Sequence, residues 1–161
     1  MEGPVEVKIE GAQQIAGQLL NLSDKQRKAI ALVIKAGAIK IWKTARESVM
    51  HGPKTGRKYG KHRASAPGEA PANDHGILAG QITYRTDPDG MGASIVSRAK
   101  YSWYLEFGTR GKKTAGADNK DLAGPGFASG AIAPRPFMHP AYVKNEAWIR
   151  QKILDILNRK S

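Results

Sequence analysis

The sequence predicts an α+β domain, with a small antiparallel β-sheet packed against a long central helix and a C-terminal helix, and two long loops between them. Three observations carry that prediction. Val5, Val7 and Ile9 alternate with Glu6 and Lys8, the period-2 pattern of a short, half-buried strand. Apolar residues recur at helical spacing after Ser23 and again from Pro136 to the C-terminus. Between those stretches, "QITYRT" and "ASIVSRA" flank "DPDGMG", which reads as a β-hairpin around a Pro/Gly/Asp turn. The element order is therefore β-α-α-β-β-α.

Each element has its own local reason. Ile15, Leu19 and Leu22 lie on one side of a first short helix, over about residues 12–21. Ser23 with Gln26 fits a capping box that opens the second helix. That helix places Ile30, Val33, Ile34, Gly37, Ala38, Ile41, Ala45 and Val49 on one stripe. His51-Gly52-Pro53 should end it, with glycine in a left-handed cap and proline unable to continue the ladder. At about 1.5 Å per residue the helix runs roughly 40 Å, long for a domain this small. A helical turn is expected over 101–106. Pro136 opens the last helix, whose stripe is Met138, Ala141, Tyr142, Trp148, Ile149, Ile153, Ile156 and Leu157.

The 161 residues suit one domain, 1–161, and 40% apolar content suffices for a core. Without cysteine, disulfides and thiolate metal sites are excluded, and a reducing compartment is allowed. The acidic opening "MEGPVEVKIEG" has no apolar run, so no signal peptide is expected. No stretch approaches the roughly 20 apolar residues of a membrane span, so a soluble protein with no membrane partner is expected. The formal charge of +12 is unevenly spread: 24–50 carry +5 and 51–76 carry +3, while 77–107 are neutral. Such a distribution suits docking to an acidic partner, nucleic acid or protein; the bland alternative is a solvated surface.

Residues 51–76 and 108–135 are poor in apolar side chains and exceed the roughly 12–15 residues usual for loops in compact domains. We read them as a basic interface loop and a glycine-rich interface loop, shaped by partners in an assembly. The first carries Lys54, Arg57, Lys58, Lys61 and Arg63 around Tyr59, a plausible phosphate-contacting set with one stacking ring. It is no nucleotide cradle: Gly56 and Gly60 are spaced wrongly, Lys61 precedes His62 rather than Ser or Thr, and a helix precedes the segment. His51, His62, His75 and His139 lack the spacing of metal ligands, so no metal and no cofactor is implied.

"YSWYLEFGTRG" sets one carboxylate, Glu106, among four rings. A catalytic acid or base needs a partner group, and no second carboxylate stands nearby. The structural reading is a turn of helix with Tyr101, Tyr104 and Leu105 packed inward and Glu106 meeting a backbone amide or a basic side chain.

Three blocks together resemble the tail-completion or head–tail joining (neck) proteins of long-tailed, non-contractile bacteriophages and prophages. They are "ASAPGEAPANDHGILAGQI" (64–82), "YSWYLEFGT" (101–109) and "RPFMHPAY" (135–142). The chain departs from the family pattern at His75, where threonine is usual, and in the long stretch between Thr109 and Arg135. The resemblance implies a non-enzymatic structural virion protein at the top of the tail. It would complete the tail and join it to the head as part of an oligomeric, six-fold ring, in the host cytoplasm during assembly and then in the virion. Its partners would be itself and neighbouring neck and tail proteins: tail terminator, head-side connector or stopper, tube or tape-measure. Non-specific contact with DNA in the channel is a further implied partner. The signature residues would be Tyr101, Tyr104, Leu105, Glu106, Phe107, Gly108, Thr109, Arg135, Pro136, Phe137 and Pro140. In this picture the rings fill the space between helix and sheet, Glu106 fixes the turn, and Gly108-Thr109 turn the chain into an interface loop. The basic loop would dock acidic faces of neighbouring proteins. The alternative is a non-sequence-specific nucleic-acid-binding accessory protein.

Overall fold

A computed structural model describes residues 5–9, 22–73, 75–110 and 131–158. The expected helix at 12–21 and most of the second long loop lie outside the described residues. The architecture is α+β, as the sequence predicts. Strand β1 (Val5–Ile9) is followed by helix α1 (Asp24–His51), a two-residue ribbon of β2 (Lys58–Tyr59) and β3 (His62–Arg63), and a short helix α2 (Ile77–Gln81). Strands β4 (Ile82–Thr86) and β5 (Ala93–Ser97), helix α3 (Ser102–Phe107) and helix α4 (Met138–Leu157) complete it.

The main sheet has the order β1-β5-β4, antiparallel throughout, so the hairpin's second strand is central. Ile95 pairs with both Val7 and Tyr84, and is fully buried. The hairpin turn closes with the Asp87 amide donating to the Gly92 carbonyl at 2.9 Å. Gly90 takes φ +71°, and a Cβ there would lie 2.8 Å from the Ala31 methyl of α1. Glycine thus serves both the left-handed turn and the close approach of turn to helix.

Ser23 and Gln26 form the expected capping box at the start of α1. Ile30, Ile34, Gly37, Ala38, Ile41, Ala45 and Val49 form its buried stripe, while Val33 is half-buried. This stripe packs on β4 and β5 and along α4. The helix contact is close because Gly37 has no side chain: a Cβ there would stand 2.7 Å from Cγ1 and Cδ1 of Ile149. Fully burying one such isoleucine contributes about 2–3 kcal/mol.

Two helix ends differ from the sequence expectation. Gly52 ends α1 in extended conformation, φ −62°, not left-handed. Glycine is needed there for space, since a Cβ would sit 2.1 Å from the Ser48 carbonyl oxygen, whose hydrogen bond from the Gly52 amide closes the helix. Helix α4 starts at Met138 with Phe137 as its N-cap, two residues later than Pro136 suggests. The buried stripe of α4 also includes a polar residue: Asn145 donates to Thr44 Oγ1 of α1 at 3.1 Å and to the Ala141 carbonyl at 2.8 Å. No helix is long and apolar enough to cross a membrane among the described residues.

Candidate interaction site

The three stretches 64–82, 101–109 and 135–142 are far apart in sequence and meet at one corner. Its centre is Glu106, only 5% exposed. One oxygen of its carboxylate accepts from the amides of Phe137 (2.9 Å) and Met138 (3.1 Å), and the other accepts from His139 (2.8 Å). These are three of the four amides that a helix start leaves without an intrahelical partner. The fourth position is Pro140, which has no amide. Glu106 thus caps a helix whose own N-cap, a phenylalanine, has no acceptor, and the negative charge lies at the positive end of the helix dipole. Burial of the carboxylate is compensated by three charge-assisted hydrogen bonds.

Further bonds tie the same corner. The Arg135 amide donates to the Leu105 carbonyl at 2.6 Å, and its side chain reaches the Ser65 carbonyl (3.3 Å) and the Ala133 carbonyl (3.3 Å). The Gly68 amide donates to the Pro134 carbonyl at 2.9 Å. The Ser97 and Ser102 hydroxyls, 2.5 Å apart, join β5 to α3. Gly108, at φ +72°, closes α3, and a Cβ there would stand 2.5 Å from the Ile132 carbonyl oxygen. Thr109 follows, paired with Ile132.

Glu106 meets backbone amides and Leu105 packs against the core, as expected, but Tyr101 and Tyr104 do not pack inward. Ser102 and Glu106, one helical turn apart, face inward, because the interior offers them a hydroxyl and three amides. Tyr101, Trp103, Tyr104 and Phe107 are turned outward and exposed, and Leu105 is half-buried. The rings therefore do not fill the space between helix and sheet. The fully buried side chains of this corner are Phe137 and Met138, both part of the core. Trp103 (38% exposed) and Phe107 (56%) pack on each other on the outer face, with ring centroids 4.4 Å apart. Arg98, Lys100 and Arg110 are exposed at the ends of this segment. An exposed aromatic cluster beside cations is the composition of a contact surface.

The basic loop has more internal structure than its composition suggests. Beyond the β2–β3 ribbon, the Gly56 amide donates to the Ala64 carbonyl, and the Ala64 amide to the Arg57 carbonyl. Glu69 anchors the loop by accepting from the Thr55 hydroxyl, the Thr55 amide (3.1 Å) and the Ala66 amide (2.7 Å). Those bonds, the Thr55 hydroxyl first, hold its pKa below the usual carboxylate value. Lys54, Lys61 and Arg63 line one depression of about 430 Å³ with Tyr59 and His62. Arg57 lies over the Tyr59 ring at 5.5 Å, and Lys58 is exposed on β2. The structure thus gathers three of the five predicted cations and leaves the other two beside them.

Sequence reasoning missed Glu69 as an organiser, although "APGE" is a turn-forming context with an acceptor three residues after Ala66. It also missed that Ser102 and Glu106 share a helix face, a spacing that was available. Among the described residues, no group of three His, Cys, Asp or Glu side chains could hold a metal ion. Comparison with family models, curated proteins and solved structures found no match.

Proposed function

We propose that this chain is a non-enzymatic structural subunit of the neck of a long-tailed bacteriophage. It completes the tail top and joins it to the head as part of a homo-oligomeric ring. The observation that carries this reading is the corner around Glu106. A buried carboxylate locks α3 to α4 and in doing so fixes four aromatic rings on the outside of a folded chain. A rigid scaffold presenting preordered rings lowers the ordering cost of docking. The hydrogen bonding among 64–82, 101–109 and 135–142 supports the reading further, because the three blocks that carry the family resemblance act as one unit. Heterologous contacts through such a face close into a ring when the rotation permits.

Light scattering of the purified chain, and electron microscopy after mixing with tails that lack it, test the proposal. Ring formation and restored head joining are expected. A persistent monomer that never associates with tails would overturn the reading.

A second reading, a nucleic-acid-binding accessory protein, is favoured by the β2–β3 ribbon, where Arg57 lies over Tyr59 among four other cations. It requires tight DNA binding with a steep salt dependence. Weak binding that vanishes at moderate salt returns the choice to the structural role.

A further inference from the structure

The basic depression does not end at the ribbon. Ala64, Ala72 and Asn73 also line a second depression of about 360 Å³, so the two adjoin across those residues and together make a track from the basic loop toward α3. The character of its walls changes along its length. At one end stand Lys54, Lys61 and Arg63. At the other stand Pro71, Ile77, Leu78, Leu105 and the Tyr101 ring, with His75 and Ser65 beside them. No described lining residue in either half is acidic. The one guanidinium in the apolar half, Arg135, is engaged with the Ser65 and Ala133 carbonyls; at the basic end the Lys54 ammonium makes a single, longer bond to the Asn73 carbonyl (3.4 Å) and keeps its other protons for a ligand.

We propose that this groove binds an acidic segment of a partner protein in extended form, with carboxylates at the Lys54–Lys61–Arg63 end and one bulky apolar side chain in the depression beside Leu78 and Leu105. Charge complementarity selects the carboxylates, and the apolar half selects the anchor. The distribution of charge decides between peptide and nucleic acid. A polynucleotide carries a phosphate at every step and is held by cations along its whole track. Here the cations occupy one end, while the other offers aliphatic walls suited to a side chain. The inference deepens the docking role proposed above by naming the chemistry of one partner. Binding of a free peptide can succeed or fail whether or not rings form.

The test uses the full chain and three fluorescent probes compared by anisotropy. They are a peptide of about ten residues rich in Asp and Glu with a single Trp, the same peptide with Ala for Trp, and an oligothymidylate of equal charge. The Trp peptide should bind about tenfold more tightly than its Ala counterpart, the weight of one buried anchor. The triple change Lys54→Glu, Lys61→Glu, Arg63→Glu should weaken the Trp peptide by about tenfold or more. Ala72→Trp, which fills the groove from its shared wall, should remove the preference for Trp; circular dichroism and Tm establish that both variants fold. If Ala72→Trp does not fold, the charge variant and the probe comparison still decide. Equal binding of the two peptides, no peptide binding, or tighter binding of the oligothymidylate through the same residues would each overturn the proposal, the last in favour of a nucleic-acid groove.

Discussion

Glu106 and Pro140 divide the first turn of α4 between them. The carboxylate takes the amides of Phe137, Met138 and His139, and the proline presents none at the next position. No open donor remains at that helix start, though the cap comes from a residue 31 positions away. A local helix-start feature has thereby become a tertiary lock between α3 and α4.

Glu106→Ala should therefore lower stability by about 3 kcal/mol, because three amides lose their acceptor at a site little reached by water. Glu106→Gln keeps one acceptor oxygen but turns an NH2 donor toward the remaining amide hydrogens, so it should destabilise by a similar amount. Urea unfolding followed by tryptophan fluorescence reads both. Equal stability of Glu106→Ala and the parent would mean that water replaces the carboxylate.

Gly37→Ala sets two effects against each other. Alanine is favoured in a helix by about 1 kcal/mol, but its methyl would press on the buried Ile149 side chain, and overpacking costs about 1–3 kcal/mol. A net loss of about 1 kcal/mol is expected. In an Ile149→Ala background the same change should stabilise, since the methyl then enters vacated space. A double-mutant cycle by thermal unfolding measures the change of sign.

The loop anchor should respond to acid. Glu69 has a lowered pKa when folded, so the folded carboxyl binds protons less readily than the unfolded one. Its contribution is present above the ordinary glutamate value of the unfolded chain and is lost as pH falls through the lower, folded value. Protection of the Thr55 and Ala66 amides, measured relative to their intrinsic exchange rates, should fall over that range, while Glu69→Gln should be less protected at neutral pH and show a flatter protection profile.

Trp103→Ala with Phe107→Ala should cost the isolated chain about 1 kcal/mol or less, because both rings are largely exposed and lose chiefly their mutual contact. Oligomer formation, read by light scattering, should be lost. A large drop in Tm would instead place these rings in the fold.

Most of the architecture was legible because it rests on periodicity. The α1 stripe, the hairpin and the capping box follow from residues within a turn or two of each other, and Ser23 with Gln26 needed no tertiary information. What was illegible depends on partners remote in sequence. Rings normally go inside, so "YSWYLEF" invites an apolar interior; only the amides of 137–139 and the Ser97 hydroxyl show why Ser102 and Glu106 take that place. The same remoteness hid the start of α4, which Glu106 fixes, and Asn145, whose burial depends on Thr44 a hundred positions earlier. Gly52 illustrates a different limit: glycine was expected where it stands, but steric room at the Ser48 carbonyl, not backbone handedness, requires it.

The Thr109 amide donates to the Ile132 carbonyl at 2.9 Å, and the Ile132 amide donates back to the Thr109 hydroxyl at 3.0 Å. Exit and re-entry are thus buckled together by bonds of their own, which join the end of α3 to the approach of α4 directly. The clasp makes this the point where a foreign epitope inserted into the chain should least disturb the Glu106 corner, a result that an unchanged Tm would register.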